Sequence, residues 1–464
     1  MLETLILATF AAMLALGTGL HLPLPVTLMG GFFLFMGYGL RRGFKLRELL
    51  RFSLAGIKTV TGVLALLAIV GIMAALWRAS GTIPTIVLWG SKLMTPRALV
   101  VFSFLLCCLM SMLMGTAFGT AATAGIVCMS LAHAMGANTL LVGGAVLAGS
   151  YFGDRNSPMS SSAALVATLT HTNIFDNVHA MLKSGLVPFI LSCVIYAALG
   201  HAFAPQQMAS ASSADVLAQA FYTGALCLIP AAVVVTCTLR KVDVKITMLL
   251  GCAAAALLCI TQQHIPASAL PQIALLGYAA PDTRVAALVD GGGLLSMVNI
   301  ELVIALSATF AGLFEGTGLL LGMREHVRAL SCKTTAFTSI FATSLATSCI
   351  ACNQTLAIML TDQLCHDLGE NNNSYALALE DTVVTCAALM PWSIAATATL
   401  SFIQAPTASI LAACFLYLLP LCTLARSWMK RALGSARGVR GMRGVRGTRV
   451  AGALSTLRMA VQRL

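Results

Sequence analysis

The residues best suited to bind an ion surround Asp154, where an apolar chain is interrupted. Gly153 and Pro158 lie beside it, and both residue types disfavour a continuous helix. Carboxylate, amide and hydroxyl oxygens are the ligands that hard cations prefer. The apolar run 163–167 follows at once, so we expect the chain to re-enter an apolar phase; a solvated loop with Asp154 paired to Arg155 is the alternative. The candidate cation- or proton-binding residues here are Asp154, Asn156, Ser157, Ser160 and Ser161.

A second acidic site is formed by Glu380 and Asp381, followed by Thr382 and, further along, by Pro391 at another expected helix break. Two adjacent carboxyl groups kept away from water repel each other, so one of them can carry a proton near neutral pH. An exposed helix start, where the helix dipole favours acidic residues, is the alternative. Glu380, Asp381 and Thr382 are therefore candidate binding residues.

Neutral polar groups interrupt two further apolar runs. The run 114–120 contains two glycines, each followed by a threonine, which predicts either an unwound stretch facing a cavity or close helix packing by small residues. The amides at 353–354 can donate and accept hydrogen bonds, toward an ion or toward a neighbouring helix. The candidate ligands of these runs are Thr116, Thr120, Asn353 and Gln354, and the predicted helix breaks are Gly115, Gly119, Gly153, Pro158 and Pro391.

The elements that must hold these groups are membrane helices. Of 464 residues, 58% are hydrophobic and 9% are charged, whereas soluble domains have about 45–50% apolar and about 25% charged residues. Nor does any nucleophile–base pair have persuasive spacing, so an enzyme is not predicted. Apolar runs of membrane-spanning length lie near 4–21, 24–40, 54–77, 98–114, 121–135, 138–152, 185–203, 216–238, 246–261, 294–312, 334–351, 384–403 and 407–425.

We therefore predict an all-α, polytopic inner-membrane bundle of about 10–12 transmembrane helices. Two repeated, inverted halves with broken or re-entrant helices are expected. No cofactor is predicted, and no metal beyond a transported Na⁺. Glu301 and Glu315 fall in or near apolar helices, where charge is costly, so each is either a proton relay or a side chain that reaches the membrane surface.

Basic residues in short loops predict the orientation of the bundle. Residues 41–51 carry five Lys or Arg and residues 240–245 carry three, so both loops and both termini are expected in the cytoplasm. The predicted divisions are a helix hairpin with its basic loop (1–50), a first transport repeat (51–205), connecting helices (206–290), a second transport repeat (291–425) and a disordered basic tail (426–464).

The tail accounts for most of the net charge of +12. From Arg426 to Leu464 there are ten basic residues and no acidic ones, and residues 437–449 repeat Arg beside Gly. This composition predicts disorder and contact with anionic lipids, at about 1 kcal/mol per basic residue near the surface. The lipid bilayer is thus the expected partner; RNA is a much weaker alternative, so no nucleic-acid partner is predicted, and a homodimer is compatible with the sequence.

An internal repeat supports two related halves. Several positions match at one constant offset, including 116–120 with 343–347 and 153–154 with 380–381. Matches on one register favour a duplication, and repeats with interrupted apolar segments are typical of secondary transporters. If the halves are inverted, the span 54–77 runs outward and the span 294–312 runs inward.

Taken as a set, the motifs resemble the sodium/proton antiporter family called NhaC, within the ion transporter superfamily. The resemblance extends over most of residues 55–403 and leaves the basic tail outside. It implies a bacterial plasma-membrane carrier that exchanges external protons for internal sodium by alternating access, with Asp154 and either Asp381 or Glu380 binding Na⁺ or H⁺. The matching pieces are 81–85, 115–120, 153–158, 291–297, 353–354, 379–382 and 391–392.

The chain departs from this family's pattern at one informative place. A second Asp and an Asn usually follow the motif, and Ser161 and Ala164 stand in those positions here. Losing a negative ligand should weaken cation binding or change the number of charges moved per cycle. Because a less negative site tolerates an anion better, the alternative is a cation-coupled carrier of a small organic acid, such as malate or lactate, or of an amino acid. A helix N-terminus or Arg155 would then face the substrate carboxylate.

Overall fold

The computed structural model describes residues 22–93, 95–204, 218–240, 242–282, 285–286, 290–318, 334–351, 353–368 and 371–442, with positions 5–6, 9–10, 12–13 and 16–17. This part of the chain is helical apart from its loops and one antiparallel bridge between Tyr278 and Gly291. In a bilayer every backbone N–H and C=O needs a partner within the protein, and an apolar helix supplies those partners within one segment. The predicted all-α class is confirmed for these residues.

The main helices are numbered α1 to α17 in chain order. They are α1 (Leu24–Arg41), α2 (Leu46–Ala79), α3 (Thr82–Leu93), α4 (Pro96–Met114), α5 (Ala117–Ala134), α6 (Thr139–Asn156), α7 (Ser161–Leu169), α8 (Ile174–Ala202), α9 (Ile229–Leu239), α10 (Val244–Thr261), α11 (Leu270–Leu276), α12 (Leu294–Thr317), α13 (Ala336–Ala351), α14 (Gln354–Cys365), α15 (Asn372–Asp381), α16 (Ile394–Phe402) and α17 (Cys414–Met442).

Six helices of the described chain are long and apolar enough to cross a membrane, namely α2, α4, α5, α8, α10 and α12. A seventh span consists of the segment Asn372–Leu389 together with α16, which are bent by 61° at a short break. The protein is therefore a multi-pass membrane protein with at least one broken helix. The prediction of about 10–12 spans is higher because it counted short apolar segments such as α13, which has 16 residues.

Helices α2 and α12 run antiparallel and approach each other backbone to backbone. A Cβ atom added at Gly56 would lie 2.0 Å from the backbone of α12, and one added at Gly312 would lie 2.0 Å from the backbone of α2. Toward the other end of the pair, Gly293 N donates to Gly71 O at 2.8 Å. Small residues permit this close packing, which makes the two helices one wall of the bundle.

Helix α6, which carries Asp154, is fixed against α4 by the glycines at positions 149 and 153. A Cβ atom added at Gly149 would lie 2.6 Å from Phe104 O, and one added at Gly153 would lie 2.3 Å from Met112 N. This is the small-residue packing that lets membrane helices touch. The backbone just before Asp154 therefore has little room to move.

Helix breaks occur at three of the predicted positions. Helix α4 ends at Gly115, whose φ of +67° lies in the left-handed region that favours glycine. Helices α6 and α7 are separated around Pro158, and the seventh span is broken at Pro391. A Cβ atom added at Gly115 would lie 2.7 Å from Met159 Cβ, so the first two breaks are in contact.

Two other predicted breaks are wrong. Gly119 lies within α5 and Gly153 lies within α6. Both glycines instead allow close contacts: a Cβ atom at Gly119 would lie 2.8 Å from the side chain of Thr116. Helix α5 does depart from regular geometry, but further along, in a π-helical turn at Ala121–Gly125.

The broken helices at Pro158 and Pro391 share a local structure. Helices α6 and α15 each follow an Asn cap, and α7 and α16 each follow a Ser cap. The structural register therefore differs from the predicted one, which pairs 153–154 with 380–381. Threonine and small residues recur by chance in an apolar chain, whereas caps and prolines mark helix boundaries. At one constant offset, the matching residues are Asn138 and Asn371, Pro158 and Pro391, and Ser160 and Ser393.

The last helix, α17, continues past Arg426 to Met442, so residues 426–442 are helical and not disordered as predicted. Side-chain contacts hold the start of this segment. Arg426 Nη2 donates to Ser184 O at 2.8 Å, and Trp428 Nε1 donates to Thr338 Oγ1 at 3.0 Å. The remainder of the predicted tail, residues 443–464, lies outside the described residues.

Candidate ion-binding site

The carboxylate of Asp154 lies where the first turns of α5, α7 and α14 meet. Its Oδ1 accepts a hydrogen bond from Ser160 Oγ at 3.2 Å. Its Oδ2 accepts from Ser162 Oγ at 3.1 Å and from Gln354 Nε2 at 3.4 Å. The backbone N–H of Ala117, the first residue of α5, also donates to this carboxylate. Because the N-terminal end of a helix dipole is positive, the arrangement favours a negative charge at Asp154.

Asp154 is 5% exposed, so this charge is held away from bulk water. Hydroxyl and amide groups have both donors and acceptors, so the same side chains could turn their oxygens toward a cation. The site thus combines one formal negative charge with neutral oxygen ligands at interrupted helices. That chemistry suits a small hard cation or a proton.

Arg155 is completely buried and pairs with Asp381, not with Asp154 as the solvated-loop alternative proposed. A guanidinium has five N–H donors, and all five are used. It has none left for a substrate carboxylate, so that alternative role for Arg155 is also wrong. The acceptors are Asp381 Oδ1, Ser184 Oγ (2.7 Å), Asn156 Oδ1 (3.0 Å), Met181 O (3.1 Å) and Glu380 O (3.2 Å).

Asp381 is also fully buried, and its carboxylate has partners on three other helices. In addition to Arg155 on α6, Ser184 Oγ on α8 donates to Oδ1 at 3.0 Å, and Thr423 Oγ1 on α17 donates to Oδ2 at 2.9 Å. Hydrogen bonds of this kind offset the desolvation of a buried ion pair. The charge of Asp381 is therefore neutralised within the protein, in contrast to its predicted role as an ion ligand.

Glu380 is completely buried as well, but it is not neutralised in this way. Among the described residues, none donates a hydrogen bond to either of its carboxylate oxygens. Asp154, Arg155 and Asp381 are near enough for their charges to act on it. A charged carboxylate without a partner is costly to bury. Of the two adjacent acids, Glu380 is thus the one that remains available for a proton or a bound cation.

A cavity of about 610 Å³ lies next to this site, between α2, α12 and the first turns of α7, α14 and α16. Ser161, Asn353 and Gln354 line it. Gln354 also contacts Asp154, so its side chain stands between the cavity and the carboxylate. Glu315, a predicted proton relay, is exposed and lines both this cavity and a neighbouring one of about 680 Å³.

The remaining predicted ligands make hydrogen bonds elsewhere, mostly within their own helix ends, and none of the hydrogen bonds described for Asp154 involves them. Their hydrogen bonds are Thr120 Oγ1 to Thr116 O (3.0 Å), Asn156 Nδ2 to Phe152 O (2.7 Å), Met159 N to Ser157 Oγ (3.3 Å), Leu356 N to Asn353 Oδ1 (2.8 Å) and Ser344 Oγ to Thr382 Oγ1 (2.9 Å). These residues shape the helix ends. Glu301, on α12, has one carboxylate oxygen without a hydrogen-bond partner in the described chain.

Sequence reasoning missed three residues of the site: Ser162, Ser184 and Thr423. Ser162 lies among the polar residues that follow Asp154, but the predicted ligands do not include it. Helix α7 begins at Ser161, and successive helical side chains point about 100° apart, so Ser161 faces the cavity while Ser162 reaches Asp154. A helix start drawn at Ser160 would have indicated this. Ser184 and Thr423 lie in apolar helices, and no local pattern marks them.

Broken membrane helices around buried charged groups define the class of this protein: a multi-pass membrane carrier. A family model described as the Na⁺/H⁺ antiporter family matches residues 149–425, more than half of the chain. The protein belongs to the Na⁺/H⁺ antiporter family, which confirms the resemblance to NhaC. It is a transporter and not an enzyme.

Relatives of this chain differ in the substrates that their names give. The malate-2H⁺/Na⁺-lactate antiporter of Bacillus subtilis (strain 168) is 25% identical over 374 residues, covering 78% of this chain and 79% of the relative. The Na⁺/H⁺ antiporter NhaC of Alkalihalophilus pseudofirmus is 23% identical over 437 residues, with 90% and 92% covered. The arginine/ornithine antiporter ArcD of Halobacterium salinarum is 24% identical over 345 residues, with 72% and 71% covered. All three names describe antiporters, but they give no substrate in common.

Proposed function

We propose that this protein is a sodium/proton antiporter of the bacterial plasma membrane that works by alternating access. The observation that carries the proposal is the environment of Asp154, a buried carboxylate with hydroxyl and amide neighbours at two helix breaks. A proton and a sodium ion would compete for this one carboxylate. Because the empty charged site is costly to move through the bilayer, exchange is favoured over leakage of either ion.

The cavity supports an inward-facing state in this proposal. It lies against residues 52–63 of α2, which follow the basic loop 41–51. Since basic loops remain in the cytoplasm, the cavity would open to that side, and both termini would be cytoplasmic. Internal sodium would pass Glu315 and Gln354 before reaching Asp154.

We also propose that two inverted halves, 51–205 and 291–425, surround this site and are joined by the connecting segment 206–290. The antiparallel pairing of α2 with α12 and the two similar helix breaks at Pro158 and Pro391 support this arrangement. With shorter and broken helices included, the bundle would have about 10–12 spans. Rocking of one half against the other would then expose Asp154 to alternate sides.

The basic end of α17 would contact anionic lipids. Trp428 is 58% exposed, and Lys430 and Arg431 beside it are also exposed. Tryptophan and basic residues concentrate at the cytoplasmic surface of a membrane, where each basic residue contributes about 1 kcal/mol of binding. This contact would anchor α17 next to Ser184 and the buried ion pair.

A second candidate function is cation-coupled exchange of a small carboxylate, either an organic acid or an amino acid. The cavity of about 610 Å³ favours it, because a sodium ion needs far less space and ligand pockets have about 300–1,000 Å³. The first turns of α7, α14 and α16 line the cavity. Ser160, Asn353 and Ser393 cap some of their backbone N–H groups, and the positive ends of the three helix dipoles still favour an anion there. The names of two relatives also pair exchange with organic acids or amino acids.

Purified protein in vesicles with a preset pH gradient tests these functions. Under the main proposal, added Na⁺ alone collapses the gradient, as reported by a pH-sensitive dye, while choline has no effect; Li⁺ and K⁺ arms define the ion. Under the second proposal, the pH gradient collapses, or a radiolabelled carboxylate enters the vesicles, only when both Na⁺ and the carboxylate are present. A protein that responds to neither treatment would contradict both proposals.

Removing both hydroxyls that reach Asp154, in Ser160→Ala/Ser162→Ala, should raise the cation KM about tenfold with little change in kcat, equivalent to about 1.4 kcal/mol. The two side chains make direct contacts with the carboxylate and supply neutral oxygens for the ion. Ser161→Ala is the matched control, because its side chain faces the cavity, and its KM should change less than about twofold. Equal effects of the two variants would contradict the assignment of Ser160 and Ser162 as ligands.

A further inference from the structure

Three sulfur-containing side chains meet at the helix break before Pro391, and the proposed exchange uses none of them. Cys349 lies in the last turn of α13, while Cys386 and Met390 lie in the segment that leads to the break. Cys349 Sγ donates a hydrogen bond to Met390 Sδ at 3.2 Å. The thiol of Cys386 is near enough to that of Cys349 for their charges to interact. We call these three residues the sulfur cluster.

The position of the sulfur cluster distinguishes it from ordinary core packing. Most cysteines of the described chain are buried, where a thiol behaves as a small apolar group. Cys349 and Met390 are only half-buried. Asn353 follows Cys349 closely in the chain, Ile394 follows Met390 in the same way, and both line the cavity of about 610 Å³. The cluster therefore adjoins the wall of the cavity through which a cation from water would enter.

Sulfur ligands determine which kind of ion such a cluster can bind. Thiolates and thioethers are soft ligands, which select Cu(I) and similar soft ions, whereas Na⁺ and other hard ions prefer oxygen. Two sulfur atoms that each lie about 2.3 Å from one metal ion are about 4.0 Å apart in trigonal coordination. Cys349 Sγ and Met390 Sδ are 3.2 Å apart, so they need to separate by less than about 1 Å. The flexible side chain of Met390 can make that adjustment.

The sulfur cluster also lies where three parts of the bundle are joined. Trp392 Nε1, just after the break, donates to Cys349 O on α13 at 2.7 Å. Ser307 Oγ on α12 donates to Trp392 O at 3.3 Å. A metal ion held by Cys349 and Met390 would add a stronger link between α13 and the break. Because alternating access requires the broken helices to move, such a link would oppose transport.

We propose that the sulfur cluster binds one soft monovalent cation, Cu(I) or Ag(I), and that its occupation inhibits exchange. The ion replaces the thiol proton of Cys349, which is released to water, and a metal–thiolate bond forms. Met390 is the neutral second ligand and Cys386 the third. The thiolate cancels the charge of the ion, which suits a site of low polarity. Binding of the ion is independent of the proposed function, whereas inhibition of flux rests on it.

Silver inhibition of full-length protein in vesicles tests this site. Ag⁺ is added in nitrate buffers, since chloride precipitates it, and the concentration that halves Na⁺-driven proton flux is measured. We expect Cys349→Ala to raise this concentration at least about 100-fold and Met390→Leu to raise it about tenfold, because the first removes the thiolate and the second a weaker neutral ligand. Both substitutions keep an apolar side chain of similar or smaller size, so flux without silver should stay within about twofold.

Cys422→Ala is the matched control, because Cys422 is another half-buried thiol, on α17. Its silver sensitivity should stay within about twofold of the native protein. Native sensitivity in Cys349→Ala would overturn the site, and native sensitivity in Met390→Leu would show a single reactive thiol and no cluster. An equal loss of sensitivity in Cys422→Ala and Cys349→Ala would likewise overturn it.

Silver bound per protein in detergent decides the matter without transport. The native protein should retain one more Ag⁺ than Cys349→Ala, and equal numbers would overturn this inference. If neither substituted protein folds, alkylation of Cys349 in the native protein, located by mass spectrometry, replaces the comparison: one equivalent of Ag⁺ protects the thiol under this proposal, and an unprotected thiol overturns it. Absence of any cation-driven flux in the native protein would instead overturn the proposed function and leave the silver counts unchanged.

Discussion

Asp154→Asn is expected to reduce sodium-driven proton flux by at least about 100-fold, equivalent to about 2.7 kcal/mol. The amide has nearly the shape of the carboxylate but neither releases a proton at physiological pH nor supplies a full negative charge. Its neighbours Ser160, Ser162 and Gln354 offer neutral groups alone, which cannot compensate a sodium ion held away from water. Dye-monitored exchange in vesicles measures the loss, with vesicle incorporation determined in the same samples.

The matched control for this substitution is Asp176→Asn. Asp176 lies at an exposed position, in the first turn of α8, so it changes the net charge by the same amount without touching the site. We expect its flux to stay within about twofold of the native protein, since surface substitutions usually have small effects. Asp154→Asn with native flux would show that another group carries the ion.

Helix positions were predictable because the bilayer imposes simple local requirements on the sequence. The spans predicted at 98–114 and 246–261 correspond to Pro96–Met114 and Val244–Thr261. Helix α8 shows where composition alone misleads. It begins at Ile174 after an Asn cap, whereas the predicted span begins at 185, because the polar residues of its first turns had the composition of a loop.

The partners within the site were not predictable from local patterns. Arg155 follows Asp154 directly, yet it pairs with Asp381, which lies 226 residues away in sequence. That pairing depends on how α6, α8, α15 and α17 pack together, and tertiary packing has no counterpart in composition or periodicity. The sequence could therefore indicate which residues are costly to bury, but it could not distinguish the neutralised Asp381 from the unpartnered Glu380.

The internal repeat illustrates the same limit at a larger scale. Similar residue types at one sequence offset, 116–120 with 343–347, indicated a duplication. The boundaries of the broken helices match at a different offset. That second register, with Pro158 and Pro391 each followed by a Ser cap, was visible in the sequence. Proline and capping residues indicate this second alignment more reliably than threonine and small residues do, because they mark helix boundaries.

Arg155→Met is expected to destabilise the folded protein by about 3–5 kcal/mol, which is the usual cost of leaving a buried charge uncompensated. The substitution keeps an unbranched apolar stem but removes all five N–H groups. Asp381 would then retain the hydroxyls of Ser184 and Thr423 and lose its only counter-charge among the described residues. The free energy of unfolding, measured by denaturant titration in mixed micelles, gives the effect.

The double variant Arg155→Met/Asp381→Leu separates loss of charge balance from loss of packing. With both charges gone, neither member of the pair is left as an unpaired buried ion. We therefore expect the double variant to be more stable than Arg155→Met alone by about 1 kcal/mol or more. Arg51→Met, at an exposed position on α2, should change the free energy of unfolding by less than about 0.5 kcal/mol. If the double variant is no more stable than Arg155→Met, the cost comes from packing around the guanidinium, and the ion pair is not what joins α6, α8, α15 and α17.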